Sequence, residues 1–284
     1  VTLAGFGVGC EYFIRGMVKK VWFANLLGQI FVRIQALNNM QSSVVTAWIG
    51  AILYTLQIYY DFSGYSDMAI GLGRMFGFRF PQNFNYPYIA ASITDFWRRW
   101  HMTLGTWFRE YVYIPLGGNR VTTAKHIRNL LIVWGLTGVW HGAGINFLLW
   151  GLYYGVLLII EKYLIGGFLK KHKVIGHTFT LIAVVIGWML FANTSFASLG
   201  QYFCMMFGIG KVSFFNATAG YFLRTSIVLL VLGVLFSTPI MHQLGEQIFV
   251  RYPKVSAAVR VFLFLLCIAA LVYQTYNPFL YFRF

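Results

Sequence analysis

The chain has 284 residues, of which 59% are hydrophobic and only 10% charged, with a mean hydropathy of +0.67. Ordinary soluble domains carry about 25% charged residues, so this composition excludes a soluble enzyme, a disordered tail and a nucleic-acid-binding module. An all-α polytopic membrane protein remains, and its 22 basic against 7 acidic residues (net +15) match the anionic headgroups of a lipid bilayer on the cytoplasmic side.

The first thirty residues mix apolar runs with Glu11, Arg15, Lys19 and Lys20, which predicts an interfacial or span-flanking helix. Residues 43–60 then form an apolar run of membrane-span type. Asp61 and Asp67 follow it directly, in YYDFSGYSDMAIGLG. Two acids beside a span either pair with cations or cap helices. Alternatively they line a polar path into the membrane, and both are candidates for that path.

Within 92–111, Ser92 and Asp95 have the spacing of a capping box. At about 100° per residue, Trp97, Trp100, Leu104, Trp107, Phe108 and Tyr111 share one face and Arg98, Arg99 and Arg109 another. An interfacial amphipathic helix is the expectation, with His101 beside its apolar face. A lone histidine there either bonds a backbone carbonyl or serves a reaction. IPLGGNR, at 114–120, supplies a Gly-Gly turn without Walker spacing.

Residues 127–163 are mostly apolar for 37 residues, about 55 Å as one helix against a bilayer core of about 30 Å. Two legs fit better, with a break at Gly142-Ala143-Gly144. The leg 127–141 then spans about 22 Å, which leaves His141 at membrane depth. An ionisable residue there is costly and marks a site or a buried structural contact. Desolvation favours the neutral imidazole that takes a proton from a hydroxyl. Trp140 and Asn146 flank the break and are candidates to line the same cavity. The basic residues before and after this stretch then fall on one face, as the positive-inside rule prefers. Further spans are expected at 177–191, 226–240 and 257–273. The three cysteines form no metal or disulfide pattern, no metal motif occurs, and the remaining histidines read as interfacial. Val1 replaces an initiator Met, so the chain reads as part of a longer protein.

The runs ITDFWRRWHMTLGTW, IPLGGNR and VWHGAGINF, with FIRGMVKKVWFAN near the start and NPFLYFRF at the end, carry a resemblance across most of the chain. It resembles the membrane-bound O-acyltransferase (MBOAT) family, and within it the bacterial alginate O-acetyltransferase branch rather than the teichoic-acid D-alanylation branch. The resemblance implies a multi-span helical bundle with re-entrant or broken helices. It also implies that residues 1–284 are one membrane domain, the C-terminal portion of a longer member. The family's two signature histidines map by motif onto His101 and His141 as catalytic residues. Implied too are acetyl transfer from a cytoplasmic thioester, acetyl-CoA, towards an envelope polysaccharide such as alginate, a periplasmic transfer partner, no bound cofactor, and a place in the bacterial inner membrane. The rival reading from the residues is a transporter or flippase of envelope precursors, where broken helices and buried histidines also occur. A scaffold for a soluble acetyltransferase is a third.

Overall fold

A computed structural model describes residues 2–38, 41–273 and 279. Among them, helices dominate and no multi-residue strand forms. The helices are α1 (Leu3–Val18), α2 (Asn25–Gln35), α3 (Val44–Met75), α4 (Ile93–Arg99), α5 (Met102–Phe108), α6 (Thr123–His141) and α7 (Ile145–Ile160). After them come α8 (Gly166–Lys171), α9 (Lys173–Ala192), α10 (Phe196–Phe207), α11 (Ala217–Phe236), α12 (Pro239–Arg251) and α13 (Pro253–Tyr273). Segments 145–171, 173–192, 217–236 and 253–273 are long and apolar enough to cross a membrane. Their chain packs as two compact units, 83–212 and the remainder.

In the first unit, the opening residues form more than a flanking helix. A π-helical turn, Lys19–Ala24, joins α1 to α2 with helical backbone throughout, and this long rod packs along α3. Two glycine pairs set the approach. A Cβ on Gly9 would stand 2.7 Å from the Gly71 carbonyl oxygen, and one on Gly64 2.8 Å from that of Gly16. Such contacts matter in a bilayer, where close backbone packing replaces the hydrophobic effect between helices. Residues 43–60 form the first half of α3, a 32-residue helix that is longer but more polar than the four apolar segments.

The spans expected at 177–191 and 257–273 each start four residues earlier, and one span shifts at both ends. The span expected at 226–240 is α11, which starts earlier because Asn216 caps it: its Oδ1 accepts from the Ala219 N–H at 2.9 Å. It stops at Phe236, where Ser237 and Thr238 turn the chain and Pro239 opens α12. The outward sides of α11 and α13 are apolar, with Val228 68% and Phe262 61% exposed, as lipid-facing surfaces require.

The second unit is built on a helical hairpin. α6 ends at His141, residues 142–144 turn, and α7 returns against α6. Gly142 has φ +151°, a backbone region that L side chains rarely adopt. About one helical turn from the tip of the hairpin, a Cβ on Gly138 would stand 3.0 Å from Leu148 Cα, so the two backbones nearly touch. α9 packs on α7, with Tyr153 donating to the Ala183 carbonyl at 2.9 Å. Between these helices lies an aromatic core of Trp97, Trp134, Trp150, Tyr154 and Trp188.

Candidate functional site

The expected single amphipathic helix over 92–111 is broken at its most informative point. α4 ends at Arg99, Trp100 is extended, and His101 takes the left-handed conformation (φ 46°, ψ 53°) before α5 begins. Residues 83–85 make this break possible by bonding its loose backbone groups: Asn85 N–H donates to Arg99 O at 2.9 Å, and Met102 N–H to Asn83 O at 3.0 Å. The break resets the helical phase. Trp100 is therefore 4% exposed, whereas Trp107 and Tyr111, on the same face of an unbroken wheel, are 50% and 68% exposed.

Asn83 also orients the imidazole. Its Oδ1 lies 3.2 Å from the Thr103 backbone N–H, 2.9 Å from Thr103 Oγ1 and 3.1 Å from His101 Nδ1. A backbone N–H can only donate, so the Asn83 atom there is the oxygen. His101 Nδ1 consequently carries the proton, and Nε2 holds the lone pair.

The first turn of α4 is fixed from two sides. Ser92 Oγ accepts from the Asp95 N–H at 3.0 Å, while Asp95 turns to Arg99 Nε at 3.0 Å, so the capping box is half formed. Glu161, buried at the end of α7, accepts from the N–H groups of Ile93 (2.6 Å) and Thr94 (3.2 Å) and from Thr94 Oγ1 (2.6 Å). The first three N–H groups of α4 are thus satisfied.

His141 closes α6 inside an aromatic box. Its ring centroid lies 5.0 Å from Trp140, 4.9 Å from Trp150, 5.3 Å from Phe191 and 6.4 Å from Phe147. Trp140 also lies 6.0 Å from the His101 ring, so it neighbours both histidines. Asn146, at the start of α7, donates to Phe191 O at 3.1 Å and ties α7 to the end of α9.

Both histidines line one cavity of about 600 Å³. One face of α6 forms its wall, from His126 through Leu130, Trp134 and Thr137 to His141. Fifteen residues separate its ends, about 22 Å of helix. Arg98, Arg109 and Lys162 also line it, and no carboxylate does among the described residues. Near the start of α6, His126 Nε2 lies 2.8 Å from Tyr113 Oη and Nδ1 2.6 Å from Tyr163 Oη. Beside this cluster the IPLGGNR turn, with Gly117 at φ +97° and Gly118 at φ +56°, is pinned by Asn129. The Asn129 amide donates to Leu116 O (3.0 Å) and Gly118 O (3.2 Å).

His101 and His141 therefore come together on one cavity in this unit, whereas Trp140, beside both rings, and Asn146, bonded to Phe191, are not among the residues that line it. Asp61 and Asp67 belong to the other unit, on α3, where cations from the α1 rod hold them. Asp67 receives a two-pronged contact from Arg15 (3.0 and 3.1 Å) and one from Lys19 Nζ (2.8 Å), while Asp61 pairs with Lys20. Pattern reading missed Asn83, Asn129, Glu161 and the Tyr113–His126–Tyr163 cluster. Each acts across a distance in sequence, and none sits in a periodic pattern.

Comparison with known proteins bears on this arrangement. The family model described as MBOAT, membrane-bound O-acyltransferase family, matches residues 4–208. A protein named probable alginate O-acetylase from Pseudomonas putida is 38% identical over 303 residues, covering 100% of this chain and 62% of that protein. The chain thus spans about three-fifths of that relative's length. A peptidoglycan O-acetyltransferase from Helicobacter pylori is 39% identical over 210 residues, with 72% of this chain and 40% of that protein covered. A teichoic acid D-alanyltransferase from Bacillus subtilis is 36% identical over 143 residues, with 47% of this chain and 36% of that protein covered. The chain is a multi-pass membrane protein that belongs to the membrane-bound O-acyltransferase family.

Proposed function

We propose that this chain carries the acyl-transfer centre of an enzyme that moves an acetyl group from acetyl-CoA towards an envelope polysaccharide. The observation that carries this reading is the placement of His101 and His141 on one cavity, each beside Trp140. His141 is the general base on the acceptor hydroxyl or on a relay group. It takes the hydroxyl proton as the oxygen attacks the thioester carbonyl, the C–S bond breaks, and the departing thiolate takes that proton back from the imidazolium to leave as the thiol. His101, with Nδ1 held by Asn83, offers the Nε2 lone pair to orient the donor or pass the proton on. Asn146 and Trp140 support the wall, and Asp61 and Asp67 are the charged residues proposed to line a polar path. The printed names of the relatives, acetylating alginate or peptidoglycan, favour an envelope polymer as acceptor. The transfer is completed by a periplasmic partner, and the protein acts in the bacterial inner membrane.

The test is direct. Membranes carrying the complete protein are given labelled acetyl-CoA, and label is followed into polymer or partner. His141→Ala, expressed at the normal level, is expected to lower the rate by about 10²–10⁴-fold, as for loss of a positioned base. Undiminished acetylation by that variant refutes the assignment. Solute movement without thioester consumption would identify a transporter instead.

A further inference from the structure

Two segments long and apolar enough to cross a membrane, 145–171 and 173–192, meet at His172. The turn between them, formed by α8 and the start of α9, therefore stands at a membrane surface. Lys170, Lys171 and Lys173 are all exposed there. None of the three forms an ion pair among the described residues. Their unit, 83–212, has no carboxylate to spare: its acids are Asp95, Glu110 and Glu161. Arg99 takes the first, Arg109 the second, and the first turn of α4 the third. The same turn exposes large apolar side chains, Leu164 at 77%, Phe168 at 52% and Val174 at 80%.

Charge and apolar surface together select the occupant. A soluble anion would answer the lysines and make no use of Leu164, Phe168 and Val174. A zwitterionic headgroup would bring its own ammonium against the three cations. An anionic phospholipid answers both, with phosphate oxygens on the ammonium groups and acyl chains along the apolar side chains.

The turn is also tied to the segment that carries His101. A Cβ on Gly176, in the first turn of α9, would stand 2.6 Å from the Ala91 carbonyl oxygen. His177 Nδ1 lies 3.0 Å from Ala90 O, and a carbonyl only accepts, so that nitrogen donates. These contacts hold the residues just ahead of α4, and the far end of α4 leads into His101.

We infer that the α8–α9 turn binds the headgroup of an anionic phospholipid through Lys170, Lys171 and Lys173, and that this lipid steadies α4 and with it His101. The binding half stands alone, and the second half rests on the acyl-transfer reading. To test the first, a fluorophore is attached at Gly167→Cys in the complete protein freed of its other cysteines; a side chain there meets open space. The protein is placed in nanodiscs of phosphatidylcholine and phosphatidylglycerol in equal parts, with one lipid or the other brominated as a quencher. Brominated phosphatidylglycerol is expected to quench severalfold more strongly than brominated phosphatidylcholine. Each basic residue beside an anionic surface is worth roughly fivefold in binding. Lys170→Gln, Lys171→Gln and Lys173→Gln together should therefore abolish the preference, and each alone should weaken it. A control with the same loss of charge, Arg120→Gln with Arg251→Gln and Lys254→Gln, should keep it.

Equal quenching by the two lipids with all three lysines present would leave the patch to a soluble acidic partner and overturn the site. A preference that survives in the triple variant would overturn it too. Melting temperatures in detergent check that the variants fold. The second half is read by acetyl transfer, which should be severalfold faster in the mixed nanodiscs than in phosphatidylcholine alone. His177→Phe should erase that difference while keeping the quenching preference. A quenching preference with equal rates in both lipids would refute the link to α4. Absence of thioester turnover in every lipid would sink the acyl-transfer reading and leave the lipid site standing.

Discussion

His101 shows how a single backbone angle can place a reactive group. In a continuous helix its ring would lie beside the aromatic face expected for 92–111. The left-handed turn instead aims it at the cavity, with Asn83 fixing the tautomer. That conformation costs an ordinary side chain about 1–2 kcal/mol, while Asn and His tolerate it better. The two roles are therefore separable. His101→Asn should melt like wild type yet lose most acetyl transfer, whereas His101→Ala should lose activity and about 1 kcal/mol of stability. Matching thermal stabilities for both variants would show that the left-handed backbone carries no strain. A second residue-scale case is Lys20 with Asp61, both buried between the α1 rod and α3. Removing one partner of a buried pair leaves a charge in an apolar place, at about 3–5 kcal/mol, while replacing both is often neutral. Lys20→Met alone should thus lower the melting point sharply, and Lys20→Met with Asp61→Leu should restore most of it. A double variant as unstable as the single one would mean that other contacts of Lys20 dominate.

At the scale of elements, the hairpin shows what hydropathy can convey. A mostly apolar run of 37 residues is too long for one crossing, and a Gly-Ala-Gly break is readable without neighbours, so α6, the turn and α7 follow from length alone. The break between α4 and α5 was not readable, because what stabilises it is backbone bonding to residues 83–85. Periodicity counts side chains and is blind to where an N–H group finds its acceptor. The same holds for Glu161, a charged residue at the end of an apolar helix whose partners lie 67 and 68 residues earlier. Its removal should matter more than its surface-like composition implies. Glu161→Ala strips acceptors from Ile93, Thr94 and the Thr94 hydroxyl. It should destabilise the unit by about 1–3 kcal/mol, the usual result of orphaning buried donors. Glu161→Gln retains an acceptor oxygen and should recover part of this. Equal melting temperatures for wild type and Glu161→Ala would show that α4 holds without it.

At the scale of the whole molecule, the arrangement in the bilayer follows from lengths and charge. The hydrogen bond between His126, in the first turn of α6, and Tyr163, just past α7, places the two ends of the hairpin side by side. Lys125, Arg128 and Lys162 thus gather at one end and the Gly142–Gly144 turn lies at the other. Counted only up to the basic end, the legs 127–141 and 145–160 are about 22 and 24 Å long, short of a core of about 30 Å, although the whole stretch 145–171 is long enough to cross. With the basic end in the cytoplasmic headgroups, the turn and His141 should stop inside the membrane. α9, at 20 residues and about 30 Å, is long enough to cross completely. Reporters placed after Arg120 and after Lys173 should accordingly read as cytoplasmic, and one after Asn193 as periplasmic. A cysteine at Ala143, in a protein freed of its three native cysteines, should react slowly with impermeant thiol reagents from either side. Rapid labelling from the periplasm would mean that the hairpin crosses fully. His141 would then stand at an interface, where water would compete with the acceptor hydroxyl for the base.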